Sequence, residues 1–266
     1  MSRFPGVFSD MGVNMVGVVR MRVRGPAGTK VRLRFAEMLQ EDGTLYVENL
    51  RNARVIDEYI LAGGGEEIFE PRFTFHGFRY VELTGYPGKP ARDAVTGLVM
   101  HSDMRQTGEF ACSHGLLNQL QSNIQWGQRG NFLEVPTDCP QRDERLGWMG
   151  DAQVFAATAC FNFDTAAFFT KWLVDVEDAQ LPNGAFTDVA PRIVVEGGGT
   201  AAWGDAGVIC PWTIYQVYGD TRILSKHYDA MTEWIDYCKG TTQGLLRPAQ
   251  GYGDWLSIQA DTPKDV

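Results

Sequence analysis

Several residue types on which motif-based assignments usually rest are scarce in this chain. It holds four histidines and five cysteines in 266 residues. Cys112, Cys139, Cys160, Cys210 and Cys238 show no C-x-x-C spacing and no paired histidine, so neither a zinc site nor a disulfide framework is indicated. No apolar run reaches membrane-spanning length. The opening stretch MSRFPGVFSDMGVNMVG lacks the continuous apolar core of a signal peptide. Together with the free thiols this favours a cytoplasmic location, with no membrane partner. Positive charge is also short. The 24 Lys and Arg against 33 Asp and Glu leave a net charge of −9, the wrong sign for a face that binds nucleic acid. There is no G-x-S-x-G elbow, H-E-x-x-H helix or EF-hand loop, and the glycine triplets at 63–65 and 197–199 lack the strand-turn-helix setting of a phosphate cradle. No cofactor and no metal are expected.

What is present divides by periodicity. Apolar content is 44% and charged content 21%, ordinary for a chain that buries a core, and the length allows one large domain or two moderate ones. Residues 1–107 read as an antiparallel β-sandwich. Val19, Met21 and Val23 alternate with Arg20 and Arg22, and Val31, Leu33 and Phe35 alternate with Arg32 and Arg34. Further strands are predicted at 44–48, 55–61, 67–75, 77–85 and 94–102, separated by turn-rich GPAGT, EDGT, AGGGEE and YPGKP. A turn or bulge is expected at His76-Gly77, with His76 structural.

From Ser113 the period lengthens toward 3.6, and residues 108–266 read as helical. Ser113 is the expected N-cap of a helix with a Leu117, Leu120, Ile124 stripe. Asp151 is placed to cap the next helix, and Asp164 to open one burying Phe169, Leu173 and Val176. The glycine-rich stretch LPNGAFTDVAPRIVVEGGGTAAWGD predicts a long loop, and loops of that length favour function. Two more helices follow, 206–218 and 221–239, the second with Leu224, Tyr228, Met231, Ile235 and Cys238 as its stripe. Trp126, Trp172, Trp212 and Trp234 lie inside helices and are assigned to the core.

Between the halves stands NFLEVPTDCPQRDERLGWMGD, with Glu134, Asp138, Asp143, Glu144 and Asp151, two arginines, Trp148 and two prolines. Pro136 and Pro140 make it an ordered loop rather than a helix. Acids that accept from hydroxyls, beside an indole that covers a ring's C–H face, suit a polyol.

The run PTDCPQRDERLGWMGD resembles the signature of the bacterial α-L-rhamnosidases, glycoside hydrolase family 78, and NLRNAR (49–54), FTFHGFRYVE (73–82) and WGQRGNFLEVPTDCP (126–140) are similar to that family too. The resemblance implies a sandwich followed by part of an (α/α)6 toroid, in a chain shorter than the family's usual length. It implies rhamnose-containing glycosides as substrate and an inverting mechanism, in which an acid and a base stand about 6.5–9.5 Å apart around a water. It makes Glu144 the general acid. Asp138, Arg142 and Asp151 become hydroxyl ligands, and Trp148, Trp203 and Trp255 aromatic walls. Asp205 and Asp254, beside two of those tryptophans, are either sugar ligands or helix caps. Around Glu144 the neighbouring acids favour a protonated carboxyl and Arg142 and Arg145 favour a charged one; the sequence leaves that balance open. The family's base is a glutamate farther downstream than this chain extends.

Two other readings remain: a carbohydrate-binding remnant without turnover, and an interaction module whose exposed helical faces meet a partner or a second copy. Cys139 as a thiol nucleophile is disfavoured, since no histidine stands near it and a small buried thiol explains it.

Overall fold

The computed structural model describes residues 7–248 and 251–253. They form two compact units, and the signature loop is divided between them. The first unit runs through Ser102 and takes in Phe110–Leu133 and Cys139–Arg145; the second takes in Asp103–Glu109, Glu134–Asp138 and the chain from Leu146 onward.

The first unit contains β1 (Val7–Arg24), β2 (Lys30–Ala36), β3 (Met38–Leu39), β4 (Leu45–Tyr46), β5 (Ile56–Ile60), β6 (Glu66–Phe69), β7 (His76–Thr84), β8 (Val95–Val99), α1 (Gly115–Asn131) and β9 (Phe132–Leu133). Its main sheet has the order β5-β2-β7-β1-β6, with β8 also paired to β1. Every recorded pairing in it is antiparallel. The alternation seen in sequence sets the core. Val19, Met21, Val23, Val31, Leu33 and Phe35 are buried, joined by Phe78, Val81 and Leu83, while Arg20, Arg22 and Arg32 face water. Burying each large apolar side chain contributes roughly 1.5–3 kcal/mol.

The expected break at His76-Gly77 lies elsewhere. Met21 pairs with Phe69 and Gly17 pairs with His76, so β6 and β7 run in succession along one edge of β1 and the interruption is residues 70–75. His76 instead opens β7. It is buried, stacked on Phe35 at 4.2 Å, with Nε2 3.1 Å from Asp57.

The α1 stripe is another correction. Leu117 and Leu120 are exposed, because the helix meets the sheet through its C-terminal half, where Trp126 packs on the core and Gly130 passes Val16. Its N-cap is His114 rather than Ser113, with no side-chain bond.

The second unit contains β10 (Val135–Asp138), β11 (Leu146–Gly147), α2 (Met149–Asn162), α3 (Ala166–Asp178), α4 (Ala206–Tyr218) and α5 (Thr221–Thr241). α4 packs against α2, α3 and α5. On α3 the predicted face is the buried one: Phe169, Leu173 and Val176, with Trp172 between them. Thr165 takes the N-cap position, and Asp164 Oδ1 accepts from Ala166 N at 3.4 Å. α4 ends at Gly219, whose φ of 70° is a left-handed C-cap. Trp212 is not core: it is 49% exposed on the outer face of α4 and meets Tyr215 at 5.3 Å.

On α5 the buried stripe is one residue away from the expected one. Ile223, His227, Ala230 and Trp234 are buried, while Tyr228 is 64% exposed. The polar anchors choose between two adjacent apolar stripes. His227 Nδ1 lies 2.8 Å from Glu177 on α3, and Trp234 Nε1 donates to Asp205 at 3.2 Å.

His227 gives a pH-dependent term. Burial lowers its pKa and Lys226 adds to that; Glu177 opposes, and the net direction is down. Nε2 is buried and without a hydrogen-bond partner among the described residues, so a second proton there gains nothing. The folded chain keeps the ring neutral at a pH where the unfolded chain, titrating near the ordinary 6.5, has begun to bind a proton. This stability is therefore fully present above about pH 6.5 and is lost as pH falls through the depressed folded value. Thermal melts between about pH 7.5 and pH 5 should show a larger loss for the native chain than for His227→Gln. Equal losses would remove His227 from the account.

Candidate active site

In the first unit the signature's central stretch is held on β7. Arg145 has a φ of 63°, donates to the Phe75 carbonyl at 2.7 Å and places its guanidinium 4.1 Å above the Phe75 ring. Burial pulls the Arg145 pKa below the ordinary arginine value. Gly77 allows the close approach of the loop, since a Cβ there would lie 2.6 Å from that of Gln141. Asp143 accepts from the Asn52 backbone N–H at 3.3 Å. Glu144 is fixed between two cations: Arg51 Nη1 and Arg142 Nε each lie 3.0 Å from its Oε2, and its side chain is only 14% exposed. Arg142 and Glu144 are thus brought together. Arg51 comes from NLRNAR, a stretch whose role the sequence did not disclose.

In the second unit β10 and β11 pair Asp138 with Leu146 and Thr137 with Gly147. This short ribbon leads into Trp148, the N-cap residue of α2, whose backbone bridges Val189 in the long loop. Asp138 is half-buried on β10. Asp151 is not the cap; it lies exposed in the first turn of α2, where its charge favours the helix N-terminus. Gly150 lets the Trp203 indole lie against this turn, since a Cβ at position 150 would meet the ring at 2.8 Å. One further ring joins the two tryptophans. Tyr252 is 4.7 Å from Trp203 and, edge-on, 6.0 Å from Trp148, and its hydroxyl donates to Asp188 Oδ2 at 3.1 Å. Burial, with Asp188 adding, pushes the Tyr252 pKa up to about 12, so the phenol keeps its proton.

Asp188 and Tyr252 are functional candidates that sequence reasoning missed. Asp188 had a signal, as a lone carboxylate in the apolar run AFTDVA; buried carboxylates are rare without a task. Tyr252 stands in GYGDW, where attention went to the tryptophan. Asp205 is occupied within the protein: its Oδ2 accepts from Ala202 N at 2.8 Å and its Oδ1 from Trp234 Nε1, at the N-cap position of α4. Asp254 and Trp255 lie outside the described residues.

Two indoles meet one phenol whose hydroxyl reaches a buried carboxylate, a combination of apolar ring faces and an acceptor. Residues 6–101 match the bacterial α-L-rhamnosidase concanavalin-like domain, and residues 105–266 match the bacterial α-L-rhamnosidase six-hairpin glycosidase domain. An α-L-rhamnosidase of Streptomyces avermitilis is 59% identical over 263 residues, covering 98% of this chain and 26% of the relative. The crystal structure of the Streptomyces avermitilis α-L-rhamnosidase complexed with L-rhamnose superposes with a TM-score of 0.95 at 58% identity, over 98% of this chain and 25% of that one. The α-L-rhamnosidase structure from Dictyoglumus thermophilum gives a TM-score of 0.92 at 44% identity, over 94% and 28%. The fold class expected from sequence, an antiparallel sandwich followed by part of a six-hairpin toroid, is the one found. The chain spans about a quarter of the length of the relatives it matches.

Proposed function

The chain belongs to the bacterial α-L-rhamnosidases, and from that membership we propose that it supplies the acid and the sugar-binding wall of a glycosidase that removes terminal α-L-rhamnose from glycosides. In this reading Glu144 is the general acid that protonates the departing glycosidic oxygen. Asp138, Arg142 and Asp151 hold sugar hydroxyls, and Trp148 and Trp203 cover the ring. A carboxylate outside these 266 residues activates the water on the opposite face, and the reaction inverts. The substrate partner is a rhamnose-containing glycoside.

The observation that supports this reading most directly is the aromatic group in the second unit, where Trp148 and Trp203 both touch the single ring of Tyr252, whose hydroxyl meets a carboxylate. A pyranose asks for the same two things, a flat apolar face and an acceptor for its hydroxyls. Hydrolysis of p-nitrophenyl α-L-rhamnoside tests it, with this chain assayed beside a version extended to the length of its relatives. Turnover by the extended form is expected; no turnover by either would end the proposal.

One observation favours a second reading, carbohydrate binding without turnover. Glu144 stands in two ion pairs at 3.0 Å, and a group that donates a proton has to give these up. Retained L-rhamnose binding in an extended form that turns over no rhamnoside would select this second reading.

A further inference from the structure

Asp188 is a buried carboxylate with unspent capacity. It is 6% exposed, and its backbone carbonyl accepts from Met149 N at 3.0 Å, which fixes it beside Trp148. Oδ2 accepts from the Tyr252 hydroxyl, while Oδ1 is buried without a hydrogen-bond partner among the described residues. In the same aromatic group Trp203 Nε1 is a buried donor without a partner among the described residues. Buried polar atoms are nearly always paired, so an unfilled acceptor and an unfilled donor around three aromatic rings need an explanation.

A neutral sugar answers both, because each hydroxyl donates and accepts. Tyr252 already behaves as such a ligand would. It sets a ring against Trp148 and Trp203 and donates one hydroxyl to the carboxylate.

We propose that Asp188 is a sugar-binding residue that accepts a ring hydroxyl of the bound rhamnose, and that Tyr252 occupies its place in the sugar-free chain. This rests on the rhamnosidase reading given above and adds a ligand to it. The sugar enters by shifting Tyr252, exchanging a phenol donor for a sugar hydroxyl on the same carboxylate.

The alternative is that Asp188 only props Tyr252, and the two roles separate by the sign of two substitutions. Asp188→Asn keeps an oxygen for the Tyr252 hydroxyl and replaces the other oxygen by an amide donor, so a prop survives while the acceptor is lost. Tyr252→Phe removes the competing hydroxyl and keeps the ring. Titration calorimetry with L-rhamnose is expected to show binding weakened at least about tenfold in Asp188→Asn and tightened about two- to fivefold in Tyr252→Phe. Binding by Asp188→Asn equal to that of the native chain overturns the assignment alone. A weakening in Tyr252→Phe also overturns it, and this arm stands even if Asp188→Asn does not fold. A native chain that takes up no L-rhamnose overturns the assignment, and the rhamnosidase reading falls with it only if the extended form also turns over no rhamnoside.

Discussion

Glu144→Gln is expected to remove at least ~10²–10⁴ of whatever rhamnoside-hydrolysing rate the chain supports, alone or extended, because that is the usual contribution of a positioned proton donor. Binding of L-rhamnose should change by no more than about threefold, since the amide keeps the shape and one acceptor oxygen. The geometry makes the comparison informative. Arg51 and Arg142 both reach Oε2, so the substitution leaves two guanidinium groups facing an amide rather than a carboxylate. If those cations serve only to hold the acid, the loss falls on kcat. A substrate with a good leaving group separates the roles further: p-nitrophenolate departs with little protonation, so the mutant should lose less on the aryl rhamnoside than on an alkyl one. A rate unchanged on both substrates would remove Glu144 from the mechanism.

What could be read from sequence followed from how local each determinant is. The sheet core was legible because a period of two along Val19–Val23 and Val31–Phe35 leaves one assignment of faces, and a slip by one residue would bury arginine. The α3 face was legible for the same reason, with a single apolar stripe. α5 carries two adjacent stripes at helical spacing, and periodicity cannot choose between them. The choice is made by contacts distant in sequence, His227 with Glu177 and Trp234 with Asp205.

The candidate site divides along the same line. Arg142 and Glu144 are two residues apart, and one loop brings them together. Arg51 reaches Glu144 from 93 positions away, and Tyr252 reaches Asp188 from 64. No local pattern encodes either contact. Asp205 was ambiguous because a carboxylate before a helix caps or binds depending on what its oxygens meet, and here they meet Ala202 and Trp234.

Gly147→Ala is expected to destabilise the second unit by about 3 kcal/mol, the sum of an overpacked core position and a disturbed buried hydrogen bond. Gly147 is buried on β11, and a Cβ there would lie 2.1 Å from the Ala190 carbonyl oxygen and 3.4 Å from Trp172 Nε1. The first atom is backbone, so no side-chain rotation relieves the clash. That oxygen also accepts from the fully buried Trp172 indole at 2.9 Å, while Ala190 N donates to the Gly147 carbonyl at 2.9 Å. Pushing residues 147 and 190 apart strains both bonds. It also loosens the neighbouring bridge between Trp148 and Val189, which carries Asp188 on one side and an aromatic wall on the other. For a unit of this size the loss corresponds to a fall in melting temperature of roughly 6–12 °C. L-rhamnose affinity should fall with it at a temperature where the mutant is still folded, because the same displacement moves Trp148 relative to Asp188 across the strained bridge. A mutant that melts with the native chain would show that the loop yields at Ala190 without cost. A mutant that melts early but binds normally would separate the packing of this bridge from the sugar wall.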